Sequence, residues 1–177
     1  EAFALTRWLP GIGLRPTLHL SNLAVVIPDS SALPYSQPEM QYLLSLASPK
    51  LRVERIPARY QELVSALTVG EYDGWHFSGH GAFHDGRGYI SLNQPDGKPD
   101  RIDGSILSQI AVNYRSTRLV VMNACSSGRV DDVRAFQGLA PQLVRFGVPA
   151  VVAMQHPIGD EAALTFAREF YKSLCMG

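Results

Sequence analysis

Two short motifs in this chain carry residues that could do chemistry. Gly79-His80-Gly81 follows Tyr72-Asp73-Gly74-Trp75-His76-Phe77, and Asn123-Ala124-Cys125-Ser126-Ser127-Gly128 follows Arg118-Leu119-Val120-Val121-Met122. Each preceding run reads as a buried strand, so a histidine and a cysteine stand where two strands end. In open parallel sheets that edge is where ligands bind. A free thiol, with a pKa of about 8.5, is only a few per cent thiolate at neutral pH. To attack a carbonyl it needs a base or cationic neighbour, and imidazole is the usual one. His80 precedes Cys125 by 45 residues, and Ala124, Ser126 and Ser127 are small enough to let a substrate backbone approach. The glycines flanking His80 let the backbone take tight conformations beside a ligand. Each residue also has a plain reading, Cys125 as a buried inert thiol and His80 as a turn histidine. It is the pair that favours nucleophilic catalysis.

The elements that must position this pair alternate. Leu23 to Ile27 is a continuously apolar run ended by Pro28, as for a strand buried on both faces. Glu39 to Ala47 has helical spacing (Met40, Leu43, Leu44, Ala47), and Leu51 to Ile56 alternates as an edge strand does. Tyr60, Leu63, Val64 and Leu67 again have helical spacing, and the strand before His80 follows. Residues 85–104 are rich in Gly, Asp and Pro with one short strand candidate, Tyr89 to Leu92, which predicts a hairpin excursion. Ile102 to Val112 is expected to be a helix capped by Asp103. Ser126 to Ala135 is expected to be a loop. Gln137 to Phe146 is expected to be a helix stopped by Gly147. Pro149 to Met154 reads as a further strand. Asp160 to Leu174 reads as an amphipathic helix with Ala163, Phe166, Ala167 and Phe170 inward and Asp160 as N-cap. The pattern predicts an α/β fold, a mostly parallel sheet flanked by helices on both faces, with a small hairpin excursion. Residues 1–22 read as a lead-in broken by Pro10, Gly11, Gly13 and Pro16, and 23–177 as one domain.

Composition bounds the partners. The chain has 177 residues, sixteen basic and sixteen acidic, so it presents no general electrostatic case for nucleic acid or an anionic membrane. No apolar run reaches the ~18 residues of a spanning helix, and residues 1–22 lack the pattern of a signal peptide. Two cysteines, Cys125 and Cys175, do not suggest a disulfide scaffold and suit a reducing compartment, hence the cytoplasm. Cys175, far from the motifs, reads as a core or chain-end thiol. The start at Glu1 and the stop after an amphipathic helix predict a piece of a larger protein. His76, His80 and His84 recur at i, i+4 and i+8, which on a helix would stack zinc ligands. Here the spacing falls on a strand and a glycine loop, so no metal is expected, and His76 reads as a core or helix-facing residue. Pro28-Asp29-Ser30 stands where a phosphate-binding glycine loop would follow the first strand, so no nucleotide or flavin cofactor is expected.

Together these motifs resemble the CHAT family of caspase-like cysteine peptidases, related in fold to caspases, separases and gingipains. The resemblance rests on Gly79-His80-Gly81, on the strand ending in Asn123 to Gly128, and on Gln137-Gly138-Leu139-Ala140 through Phe146 to Met154. Pro157-Ile158-Gly159-Asp160, Phe166 through Tyr171, and Val26 to Asp29 followed by Leu33-Pro34 add to it, over roughly residues 20–177. The order of His80 and Cys125 fits a caspase-like histidine about 50 residues upstream of its cysteine.

The resemblance implies a caspase-haemoglobinase fold and a His80–Cys125 dyad that hydrolyses peptide bonds through an acyl-enzyme. It implies oxyanion donors at the backbone N–H groups of Gly81 and Cys125. Asp29, in a region that helps form the pocket for the side chain before the cut in caspases, would favour Arg or Lys there; a turn aspartate is the plainer reading. Asp73 and Asp160 are competing acids, Asp160 more simply a helix cap. Met154, Gln155 and His156 are expected to line the groove for an extended peptide. The charged run Arg129 to Ala135 corresponds to a loop that is processed or rearranged in caspases. Partners are then a protein or peptide substrate and regulatory domains outside this chain, with no nucleic acid contacted directly and no membrane. Family members usually continue past Gly177 with a further helix. The alternative is a catalytically idle scaffold that keeps the fold and binds partners.

Overall fold

The computed structural model describes residues 19–28, 36–69, 71–85, 87–93, 99–107, 116–123, 130–154 and 159–176. Five short strands build one parallel sheet: β1 (Asn22–Val26), β2 (Arg52–Arg55), β3 (Gly74–Ser78), β7 (Leu119–Asn123) and β8 (Ala150–Ala153), in the order β2-β1-β3-β7-β8. Three more strands, β4 (Gly81–His84), β5 (Arg87–Asn93) and β6 (Pro99–Asp103), form a separate antiparallel sheet. The helices are α1 (Ser36–Ser45), α2 (Tyr60–Val69), α3 (Val130–Arg145) and α4 (Asp160–Met176).

The period-2 alternation of a strand sends its side chains to opposite faces. In β1, Leu23 and Val25 join the apolar cluster on one face, and Ala24 and Val26 the other. In β7 the same split puts Leu119 and Val121 on the first face and Met122 on the second. Met40 and Leu43 of α1 and Tyr171 of α4 cover the first face. Leu63 and Leu67 of α2, Leu139 and Leu143 of α3, and Ile90, Leu92 and Ile102 of the small sheet cover the second. Both faces are covered, so these strands read as near-continuous apolar runs. Each fully buried Leu or Val contributes about 1.5–3 kcal/mol of transfer free energy. β2, the edge strand, is only partly buried along its length.

The α/β architecture expected from the sequence is present, and the differences are local. The excursion is a three-stranded sheet rather than a single short strand. Its β4–β5 turn carries Asp85 at a positive φ of 49°, which suits the Asp-Gly pair of a two-residue hairpin loop. Asp103 does cap a helical turn, since its Oδ1 accepts from Ser105 N at 2.7 Å, but Ile102 belongs to β6. The turn is described at 104–107, and the remainder of the expected helix lies outside the described residues. The expected loop to Ala135 is helical from Val130 onward, so the charged segment forms the first turns of α3. In α4 the first bond runs from Ala163 N to Gly159 O at 3.0 Å. Gly159 therefore occupies the cap position and Asp160 the first helical one.

Candidate active site

β3 and β7 lie side by side in parallel, in a register that ends with Ser78 opposite Asn123. Gly79 N donates to Asn123 O at 3.2 Å just beyond that pair, which ties the two strand ends together. A side chain on Gly79 would stand 3.1 Å from Pro28 Cδ and 3.2 Å from Phe77 Cζ. The bare backbone there lets the end of the β1 segment close against the end of β3. His80 follows, half-buried. Its carbonyl accepts from Ser91 N at 2.9 Å, so β5 fixes the His80 backbone directly. Opposed antiparallel residues alternate between bonded and non-bonded pairs. The bond between Ser91 and His80 makes the next pair, Gly81 and Ile90, a non-bonded one and turns the Gly81 N–H away from β5. The small sheet is thus a bracket for the histidine loop. It is held in turn by α3, where the Phe83 ring lies 3.4 Å from the position of a Cβ on Gly138.

Cys125 stands two residues past Asn123, as His80 stands two past Ser78. Cys125, Asp29, Gln155 and His156 lie outside the described residues. Met154 directly follows β8, is 7 % exposed, and packs in the apolar core while its N–H donates to Met122 O. The other cysteine, Cys175, is exposed near the end of α4, and local burial pushes its thiol up, so it is not an activated nucleophile. Asp73 sits before β3, at the opposite end of the sheet. Its carboxylate accepts from Ser21 N and Asn22 N at 2.9–3.1 Å. That pins the start of β1 and removes Asp73 as a candidate for the substrate side. His84 is exposed on the hairpin, 3.4 Å from Asp85 Oδ2.

Beneath the two strand ends, on the face covered by α1 and α4, lies a polar cluster that sequence reasoning did not find. Glu39 of α1 is 1 % exposed, and His76, Ser78 and Asn123 are 0 % exposed. Asn123 Nδ2 donates to Glu39 Oε1 at 2.7 Å and approaches the Ala163 carbonyl of α4 at 3.4 Å. His76 Nε2 lies 3.2 Å from the same Oε1. Its Nδ1 is 3.2 Å from the Tyr171 hydroxyl. Burial pushes the Glu39 carboxyl up. The hydrogen bonds and charge of His76, with hydrogen bonds from Ser78 and Asn123, outweigh it, so the net direction is down and Glu39 is anionic. Burial, then the Glu39 charge, push the Tyr171 hydroxyl well above the ordinary range, so it keeps its proton. The His76 ring thus bridges the two helices, with one nitrogen on the Glu39 side and the other on the Tyr171 side. Burying an ionised carboxylate costs several kcal/mol unless it is well partnered, and removing one partner of such a pair costs about 3–5 kcal/mol.

One signal in the sequence marks some of these as inward-facing polar residues, though not that they meet. His76 and Ser78 share the face of β3 at i and i+2, and Glu39 shares the inward stripe of α1 with Met40 and Leu43. Among the described residues no three His, Cys, Asp or Glu side chains gather as metal ligands, and no helix is long and apolar enough to cross a membrane.

No curated protein matches the chain. Among solved structures, the A domain of carboxylic acid reductase from Segniliparus rugosus, in complex with AMP and a co-purified carboxylic acid, is similar at 12 % identity. That match covers 86 % of this chain and 19 % of that one, with a TM-score of 0.46. The A-PCP didomain of carboxylic acid reductase from the same organism, in complex with AMP, is similar at 12 % identity over 85 % of this chain and 17 % of that one, with a TM-score of 0.44. The chain spans less than a fifth of either, and likeness at this level carries no argument. The family model of the CHAT domain matches residues 15–177. The parallel sheet, the paired strand ends and that match over most of the sequence agree: this chain belongs to the CHAT-domain family, whose context is the caspase-like group.

Proposed function

We propose that the domain is a cysteine endopeptidase, with Cys125 as nucleophile and His80 as its acid–base partner. One observation carries the reading. β3 and β7 are neighbours in parallel and finish at the same level, Ser78 opposite Asn123, with each motif residue two positions further along the chain. Neighbouring strands run about 4.8 Å apart, a spacing at which a thiol and an imidazole both reach one amide.

In this reading the Cys125 thiol gives its proton to His80 as its sulfur attacks the scissile carbonyl carbon. The resulting oxyanion is met by the N–H groups of Gly81 and Cys125. The C–N bond then breaks as His80 gives a proton to the leaving amine, which leaves a thioester on Cys125. A water loses its proton to His80 and attacks the thioester; the C–S bond breaks, the new carboxylic acid leaves, and His80 returns the proton to the Cys125 sulfur. Asp29 is the proposed selector for Arg or Lys before the cut. Met154, Gln155 and His156 are the proposed groove wall, Met154 from its place in the core. Residues 1–22 as lead-in, 23–177 as the peptidase unit, a cytoplasmic setting and regulatory partners outside this chain complete the proposal.

The test is hydrolysis of a fluorogenic peptide library by the 177-residue chain, with Cys125→Ala and His80→Ala beside it. Turnover by the wild type alone, strongest after Arg or Lys, is the expected result. Turnover after another residue keeps the peptidase and discards Asp29 as selector. Equal rates in all three proteins, or none in any, refute the peptidase reading for this chain and favour a scaffold domain.

A further inference from the structure

The Glu39 cluster lies outside the dyad, yet it contacts both strands that lead to it. Asn123, held by Glu39 through Nδ2, is two residues before Cys125; His76 and Ser78, both against Glu39, are four and two residues before His80. One carboxylate from α1 therefore binds the last residues of β3 and β7 together, and Asn123 and His76 reach on to α4 through Ala163 O and Tyr171. Replacing a whole buried ion pair by apolar residues of similar volume is often neutral or stabilising, so stability alone does not explain the cluster. What a buried carboxylate adds is direction, since it accepts hydrogen bonds from fixed sides and holds its donors in one orientation. The bond from Gly79 N to Asn123 O also ties the two strand ends together beyond their ladder.

We propose that Glu39 is a positioning residue for the dyad: acting through Asn123 and His76, it sets the exit directions of the His80 and Cys125 loops. This rests on reading those two residues as the catalytic pair. Glu39 touches no substrate. Its loss is therefore expected to lower the rate of the chemical step and leave substrate binding as it was. Glu39→Gln keeps an acceptor for Asn123 and loses the charge, whereas Glu39→Leu keeps the volume and loses both.

The experiment uses the full chain and a peptidyl acyloxymethyl ketone at varied concentration, which separates the maximal inactivation rate from the half-saturating concentration. Cys125→Ala is the control, and unfolding is followed for each variant. The expected result is a maximal rate reduced about tenfold in Glu39→Gln and about a hundredfold or more in Glu39→Leu. The half-saturating concentration should stay within about twofold of wild type for both. Wild-type rates in either variant, or rates that fall only as the folded fraction falls, overturn the proposal. Amide hydrogen exchange at Gly79 and Asn123 is measured on the same proteins. Faster exchange there in Glu39→Gln, with β1 amides still protected, is expected whether or not the ketone reacts. If the wild type does not react and exchange rises locally, the dyad reading falls while the hold on the strand ends stands. If exchange does not rise locally, the positioning role falls with it.

Discussion

Replacing Gly104 by alanine tests the packing that holds the histidine bracket in place. A Cβ built at Gly104 stands 1.9 Å from Leu139 Cδ2, 3.3 Å from Leu139 Cγ and 3.2 Å from Gln142 Oε1. Carbon atoms in contact sit at about 3.5–4.0 Å, so the Leu139 methyl must move by roughly 1.5 Å or more. Leu139 is 0 % exposed and packed in the core, which denies it an easy exit. Overpacking of this kind costs about 1–3 kcal/mol. Relief of glycine entropy in a helical turn returns about 0.5–1 kcal/mol. The net is a loss of up to about 2.5 kcal/mol, or a Tm lower by up to roughly 10 °C for a domain of this size. A double-mutant cycle identifies the cause. Leu139→Ala alone costs about 2–5 kcal/mol, but the methyl added at Gly104 then occupies vacated space. The double variant should therefore be less destabilised than the sum by about 1 kcal/mol or more. Denaturant unfolding of the four proteins measures this. Strict additivity in the cycle would refute the contact between α3 and the turn after β6.

Three further outcomes follow from the buried contacts. Tyr171→Phe keeps the ring and leaves His76 Nδ1 buried without its 3.2 Å partner; chemical unfolding should show a loss of about 1–3 kcal/mol. Glu39 has a folded pKa below its ordinary 4.5, so its ionised form stabilises the fold above that value. Its contribution is lost as pH falls from 4.5 through the folded pKa, with His76 and Tyr171 the titratable groups facing it. Glu39→Gln should therefore flatten the fall in stability below pH 4.5, and parallel curves would contradict this. Asp73→Ala removes the acceptor for Ser21 N and Asn22 N. It should cost about 1–3 kcal/mol in unfolding while leaving kcat/KM for the best peptide within about twofold, because it acts at the far end of the sheet.

The central sheet was legible because burial on both faces demands unbroken apolar runs, as in Leu23 to Val26 and Leu119 to Met122. The small sheet was only half legible. β4 (Gly81 to His84) and β6 (Pro99 to Asp103) contain Gly, His, Pro and Asp, which have little strand preference of their own. Pairing on either side of β5 holds them in place. The start of α3 was hidden for a related reason: Val130 to Ala135 is charged, and helical periodicity appears only further on. His80 and Cys125 could be picked out because their residue types and flanking glycines and serines are distinctive. Glu39, His76, Asn123 and Tyr171 could not be joined from sequence. Each is one polar group on an otherwise apolar face, and periodicity assigns a face without saying which residues across the core meet there.

The most direct test of the dyad is to map the adduct left by an excess of peptidyl acyloxymethyl ketone on the native chain. Intact mass and peptide mapping would be read for wild type and His80→Ala. The account predicts one equivalent of thioether on Cys125, none on Cys175, and formation slower by orders of magnitude without His80. Modification of Cys175, equal modification of both cysteines, or a rate indifferent to His80 would contradict it.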